Sequence, residues 1–260
     1  MSETIQLKIT DKVAYIHLNR PKAFNSFNRE MALAFQEVLR SAEENTAVRA
    51  VYITGEGKAF CAGQDLKEVT DAEQNPGFKR ILEEHYNPII RLIRQLKKPV
   101  VAAVNGVAAG AGANIALACD IVVASENAAF IQAFSKIGLI PDSGGTFFLP
   151  RLIGFQKASA LAMLGDKVMA KEAEQLGMLY KVYAADEFEN CAKDLAKKMA
   201  KMPTKALVQT KQLLNQSLNN SLDEQLDLEG KFQIEAAESH DYHEGVQAFV
   251  EKRKPEFKGE

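Results

Sequence analysis

Three short segments of this 260-residue chain combine small residues with groups able to do chemistry. Gly110-Ala111-Gly112 follows an apolar run and opens a helical stretch. A strand, a glycine turn and a helix start leave the first helical amides unpaired and aligned with the positive end of the helix. The amides of Ala111 and Gly112 are therefore candidates to hold a developing oxyanion. Close packing of small residues is the other reading of that stretch. Phe60-Cys61-Ala62-Gly63-Gln64-Asp65-Leu66 also places a small-residue turn after a strand and offers a second donor, or a plain β-turn. Asp65 within it suits a helix cap or a ligand contact. Pro141-Asp142-Ser143-Gly144-Gly145-Thr146 sets a carboxylate among Leu139, Ile140, Phe147 and Phe148. Burial raises a carboxyl pKa and fits it to shuttle protons, whereas Asp before Ser-Gly-Gly fits an N-cap equally well.

Other chemistries find less support. As a dinucleotide fingerprint, the 110–115 stretch has Ile115 where a third glycine or alanine belongs and no acidic residue at the end of a following strand. No Walker lysine follows those glycines, no Gly-x-Ser-x-Gly elbow is present, and Ser143 has no histidine nearby. His240 and His243 lack a recognisable third ligand, and His17 and His85 read as structural. The three cysteines, at 61, 119 and 191, are too scattered for a disulfide framework or a zinc site, so no metal is expected. With 32 Lys+Arg against 34 Asp+Glu, the chain lacks the basic excess of a general nucleic-acid binder. The opening MSETIQLKITDK has no apolar signal core, and no run approaches the roughly 18 residues of a membrane span. A cytoplasmic protein is the expectation.

Positioning falls to alternating strands and helices. Val13, Tyr15 and His17 alternate with Ala14, Ile16 and Leu18 as in a strand that ends at Asn19-Arg20-Pro21. Asn28 is placed to cap a helix running to about Glu44, with Met31, Phe35, Val38, Leu39 and Ala42 as its apolar stripe. Residues 50–54 read as a strand, 68–77 as a mobile loop, and 81–96 as a helix interrupted by Pro88. The continuous apolar run 99–104 predicts a strand buried on both faces. A small-residue helix over 110–119 and a second buried strand over 121–124 follow, giving an α/β architecture. Helical periodicity then dominates at 170–177, 188–202, 204–215 and 222–237, with a tail from Tyr242. Pro203 suggests a division into an α/β body, 1–200, and a helical region, 201–260.

Taken in order, these segments resemble the crotonase (enoyl-CoA hydratase/isomerase) superfamily over nearly the whole chain. The matches are Leu18-Asn19-Arg20-Pro21 with Asn25-Ser26-Phe27, the 60–66 segment, Lys98-Pro99-Val100 through Asn105-Gly106, and Gly110-Ala111-Gly112. Cys119-Asp120-Ile121, Gly138-Leu139-Ile140-Pro141, Gly144-Gly145-Thr146 and Phe249-Val250-Glu251-Lys252-Arg253 complete them. The resemblance implies a spiral of ββα units, a C-terminal helical trimerisation region, and an acyl-CoA thioester held by two backbone amides. Those amides fall on Ala62 and Ala111, the latter in place of the usual glycine.

Hydratases of this family use two glutamates, and here Asn114 and Phe134 stand at the matching positions. Asp142 occupies a position after Ile140-Pro141 that is commonly glycine in hydratases. The resemblance thus turns Asp142 from a helix cap into the catalytic acid/base of an isomerase. Dehalogenation of aryl-CoA usually adds a tryptophan, and the chain has none. The segments 133–142, 105–113, 86–88 and 226–229 are most similar to the branch of the family acting on ring-1,2-epoxyphenylacetyl-CoA. That implies conversion to oxepin-CoA, with double-bond shift in aliphatic enoyl-CoAs as the alternative activity and a non-catalytic acyl-CoA-binding scaffold as the alternative of another kind.

The resemblance further implies ligand contacts at Lys22, Ala23, Gln64, Asp65, Leu66, Gly112, Asn114 and Phe134, with Phe249 and Lys252 from a neighbouring subunit. It implies no cofactor beyond the CoA carried by the substrate. A homotrimer or dimer of trimers, and a complex with a partner hydratase, are the implied assemblies.

Overall fold

Alternation along Val13–Leu18 sorts side chains to the two faces of a sheet, and each face is closed by its own layer of helix. A computed structural model describes residues 3–73 and 75–260. Among them the strands are Ile5–Thr10 (β1), Val13–Leu18 (β2), Ala50–Gly55 (β3), Ala59–Cys61 (β4), Val100–Val104 (β5), Val107–Ala109 (β6), Ile121–Ser125 (β7), Ala129–Ile131 (β8), Lys167–Met169 (β9) and Lys181–Tyr183 (β10). A six-stranded sheet has the order β1-β2-β3-β5-β7-β10, and a four-stranded sheet the order β4-β6-β8-β9. Pairing is antiparallel for β1 with β2 and for β8 with β9, and parallel elsewhere.

From β3 onward one unit recurs: a strand in the large sheet, a short strand in the small one, then a helical segment. The helical segments are Leu66–Thr70 after β4, Ala111–Leu117 after β6, and a 3₁₀ helix, Ala133–Ile137, after β8. This is the spiral of ββα units expected. Every turn of it brings a loop and a helix start to the same side, where small-sheet strands end.

On one face of the large sheet Ile16, Leu18, Ile53, Ala102 and Val104 pack with Met31, Phe35 and Leu39 of the helix Arg29–Glu44. Asn28 caps that helix through the Met31 amide, as its sequence position predicts. Full burial of each large apolar side chain there contributes about 1.5–3 kcal/mol. The opposite face buries Val13, Tyr15, Tyr52, Val101 and Ala103 against Phe188, Ala192 and Ala196 of the helix Phe188–Ala200. Strand β5 is therefore apolar along its whole length because both its faces are covered.

Some expectations are corrected. Residues 5–10 form β1, an edge strand whose mostly exposed face hides its periodicity. The segment expected as a loop over 68–77 begins inside the helix Leu66–Thr70, and its Gln74 lies outside the described residues. Pro88 does not break its helix: it sits in the first turn of Asn87–Gln95, where a missing amide is tolerated, directly after a π-helical turn, Ile81–Tyr86. The tail from Tyr242 is a helix, His240–Val250, capped by Ser239.

The C-terminal helices are tied back to the sheets by buried cations. Arg49 donates to Thr204 Oγ1 and to the carbonyls of Met202 and Phe257. Lys211 pairs with Asp120 at 2.9 Å and also donates to the Ile93 carbonyl. Among the described residues, no helix is long and apolar enough to cross a membrane.

Candidate active site

The three segments singled out by their chemistry meet in one cleft of about 390 Å³, lined by Ala62, Gly63, Gln64, Ala111, Phe134 and Asp142 among others. Strand β4 delivers the first segment, β6 the second, and the 3₁₀ helix Ala133–Ile137 leads into the third. Pairing of β4 with β6 sets the first two side by side.

Ala111 begins its helix, so its amide has no intrahelical acceptor. It keeps an ordinary φ, since the positive-φ residue of this turn is Gly110, and the methyl group is accommodated. The Ala62 amide is oriented differently from expectation: it donates to the Phe24 carbonyl at 3.0 Å and is thereby occupied. The flanking amides of Phe27 and Asp65 are also engaged, by Gly63 and Phe27 carbonyls. Between them the Gln64 amide has no hydrogen-bond acceptor among the described residues, and Gln64 lines the cleft. The free backbone donors here are thus Gln64 and Ala111 rather than Ala62 and Ala111.

Gly63 keeps the gap between them open. At φ +90° it occupies a left-handed conformation, and a Cβ there would lie 2.9 Å from the Ala109 carbonyl oxygen and 3.4 Å from the Ala111 nitrogen. Gly112 does not line the cleft. A Cβ on it would come within 2.3 Å of the Cys61 carbonyl oxygen, so close packing is what this glycine provides.

Asp142 lines the cleft too, and the cap reading fails for it. The helix Gly145–Ile153 that follows has no side-chain cap, and among the described residues the Asp142 carboxylate accepts only from the Ser143 hydroxyl, at 2.8 Å. Burial raises its pKa above the ordinary aspartate value, partly offset by that hydroxyl. Its backbone carbonyl accepts from the Gly145 amide and from Asn114 Nδ2, each at 2.8 Å. Asn114, expected at the ligand, is fully buried beneath it and does not line the cleft.

Phe134 and Leu66 line the cleft. Asp65 caps Leu66–Thr70 through the Lys67 amide and pairs with Arg20 at 2.8 Å, which engages both carboxylate oxygens. Lys22 and Ala23 occupy a short 3₁₀ turn, Pro21–Ala23, held at the rim through Phe24 and Ala62. Phe249, 84% exposed, borders a groove with Pro203, Ala206 and Phe257, separate from the cleft of its own chain. Lys252 follows on the same exposed end.

Residue types alone did not single out Tyr86, Lys136 or Gln132. Tyr86 lines the cleft and donates to Gln64 Oε1 at 3.0 Å, which steadies the loop carrying the Gln64 amide. The π-helical turn is the signal that marks it, because such turns collect at functional sites. Lys136 is the cationic residue lining the cleft.

Comparison with known proteins agrees with this architecture. The sequence pattern of the enoyl-CoA hydratase/isomerase family matches residues 8–260. The chain is 45% identical over 261 residues to 1,2-epoxyphenylacetyl-CoA isomerase of Escherichia coli K12, covering 100% of both. It is 41% identical to a probable enoyl-CoA hydratase of Rhodobacter capsulatus, covering 98% of each. It is 36% identical to trans-2-decenoyl-[acyl-carrier-protein] isomerase of Streptococcus mutans, again over 98% of each. A crystal structure of an enoyl-CoA hydratase from Streptomyces coelicolor A3(2), so described provisionally, superposes with a TM-score of 0.92 at 36% identity, covering 99% of this chain and 94% of that one. Another, also provisionally described, as an enoyl-CoA hydratase/isomerase from Mycobacterium abscessus, gives 0.91 at 35%, covering 97% and 98%. By sequence over almost its full length and by fold, the chain belongs to the enoyl-CoA hydratase/isomerase family.

Proposed function

We propose that the protein is an acyl-CoA isomerase that converts ring-1,2-epoxyphenylacetyl-CoA to oxepin-CoA. The observation carrying this reading is a single, partly buried carboxylate, Asp142, in a mainly apolar cleft that also presents the amides of Gln64 and Ala111. The two-glutamate route to hydration has Asn114 and Phe134 at its positions, and neither side chain can act as a base. In this mechanism the thioester oxygen accepts from Gln64 and Ala111, which stabilises negative charge as it develops. Asp142 takes a proton from the α-carbon, and the electron pair passes into the enolate. The bond shared by ring and epoxide opens, enlarging the ring, and the proton returns to a ring carbon. Atoms are conserved, and no cofactor is required beyond the CoA of the substrate.

The same machinery would move a double bond in a 3-enoyl-CoA, by removing a C2 proton and returning one at C4. The name of the Streptococcus relative, trans-2-decenoyl-[acyl-carrier-protein] isomerase, supports keeping this reading. Phe134 with Phe78, Ile81 and Tyr86 on the cleft walls favours the aromatic substrate. Incubation with ring-1,2-epoxyphenylacetyl-CoA and, separately, 3-hexenoyl-CoA distinguishes them, with products resolved by chromatography and ultraviolet absorbance because mass is unchanged. Asp142→Asn should abolish turnover while acyl-CoA binding persists. Full activity in that variant would sink the mechanism, and absence of turnover on either substrate by the parent chain would favour a binding scaffold. Phe249 and Lys252 are proposed to reach the cleft of a neighbouring subunit in a trimer.

A further inference from the structure

We propose that Asn114 is a positioning residue that fixes the Asp142 turn at a set distance from the oxyanion amides. The inference rests on the reading of Asp142 as the base. Asn114 is the fourth residue of the helix whose first amide is that of Ala111. One turn of α-helix is stiff, with a rise of about 1.5 Å per residue, so whatever Asn114 holds is held relative to Ala111. What it holds is the Asp142 backbone, through Nδ2 and the Asp142 carbonyl at 2.8 Å.

The amide can point only one way. Its Oδ1 accepts from Gln132 Nε2 at 2.7 Å, so a flipped Asn114 would set donor against donor and oxygen against oxygen. Gln132 is itself buried, and its own Oε1 has no partner among the described residues. An unpaired buried carbonyl opposes folding, a local sacrifice of the kind found where function sets the geometry. Gly145 clears the space: a Cβ there would sit 2.4 Å from Asn114 Nδ2.

The turn needs such a tether. Ser143 is held at φ +51° and Gly144 at φ +75°, and a non-glycine residue keeps a left-handed backbone only where its surroundings enforce it. Among the described residues no cation pairs with the Asp142 carboxylate to anchor it from the side-chain end. Other titratable groups around it are few. Tyr86 and Lys136 share the cleft, and Cys61 lies behind Gly112. Asp65 is paired with Arg20, and Glu68 accepts from Gln64 and from the Arg29 amide. The helix Ala111–Leu117 has no titratable residue, and Arg151 of Gly145–Ile153 lies over the Phe147 ring. Loss of the tether should let the turn relax outward and the carboxylate regain water.

The test compares Asn114→Ala and Gln132→Met with Asp142→Asn and the parent chain, using whichever of the two acyl-CoAs named above is turned over. Asn114→Ala should lower kcat by about 100-fold with KM changed no more than about threefold, as expected for a displaced catalytic group. Its acidic limb in kcat/KM should move to lower pH, and Gln132→Met should shift both quantities in the same direction by less. Circular dichroism and binding of a saturated acyl-CoA check that the variants fold, with Gln132→Met carrying the test if Asn114→Ala does not. Should Asp142→Asn be inactive while the tether variants leave the acidic limb in place, the inference is wrong, whatever happens to kcat. Turnover by Asp142→Asn would instead overturn the assignment of the base, and the tether's role with it.

Discussion

A carboxylate that removes a proton from carbon works best when its own pKa rises toward the working pH. Asp142, the proposed base, has such a raised pKa, because it is partly buried beside apolar walls with a single hydroxyl partner among the described residues. Two consequences follow from the raised value. The acidic limb of kcat/KM should lie above the ordinary aspartate range, because the base must be ionised to act. Stability should move oppositely: the folded state binds this proton more tightly than the unfolded chain, so the group favours folding at low pH and opposes it as pH rises through the folded value. Asp142→Asn should therefore raise Tm at neutral pH, with the gain fading in acid, as thermal scans across pH would show. At the facing amides, Gly63→Ala forces a methyl between Ala109 and Ala111. The expected loss is about 100-fold in kcat, on the scale of one oxyanion donor. Asp142 was readable from sequence because its residue type is its chemistry. The Gln64 amide was not, since every residue but proline has an amide and only the backbone's direction decides which one is free.

Elements place these groups through contacts that short-range pattern does not encode. The alternation of β2 and the stripe of Arg29–Glu44 were legible because each has one buried face and one period. Strands β4, β6 and β8 span three residues each, too short for any period, yet they carry the segments that form the cleft. The Asn114 strut was equally hidden: its partners stand 28 and 18 residues away. Asp120 shows the same principle in a structural role. It accepts from the Val100 amide at the start of β5 and pairs with Arg94 and Lys211, so it joins a sheet and two helices. Burial lowers the Lys211 pKa while Asp120 supports the charge. Lys211→Met should destabilise the fold by about 3 kcal/mol, because a buried partner loses its counter-charge. Urea unfolding monitored by circular dichroism gives that number directly.

At the scale of the whole molecule, the C-terminal helices leave Leu222, Leu226, Ile234, Val250 and Phe249 exposed. Exposed apolar residues on these helices suit an interface between copies, in keeping with the proposed trimer. Sedimentation of Ile234→Glu should show smaller species than the parent at micromolar concentration, with the far-ultraviolet spectrum retained. The packing of Gly112 on Cys61 gives the molecule a built-in reporter. Burial pushes the thiols of Cys61 and Cys119 up to about 12, whereas Cys191 is partly exposed. Alkylating reagents attack thiolates, so the folded protein should be modified at Cys191 first. Labelling of Cys61 then requires the strand end beneath Gly63 and Gly112 to lift away, and labelling of Cys119 requires the far end of the same helix to open. The ratio of the two rates, read by mass spectrometry, becomes a clock for how often the loop carrying Gly63 and Gln64 breathes by itself, and bound acyl-CoA should slow the Cys61 hand of that clock more than the other.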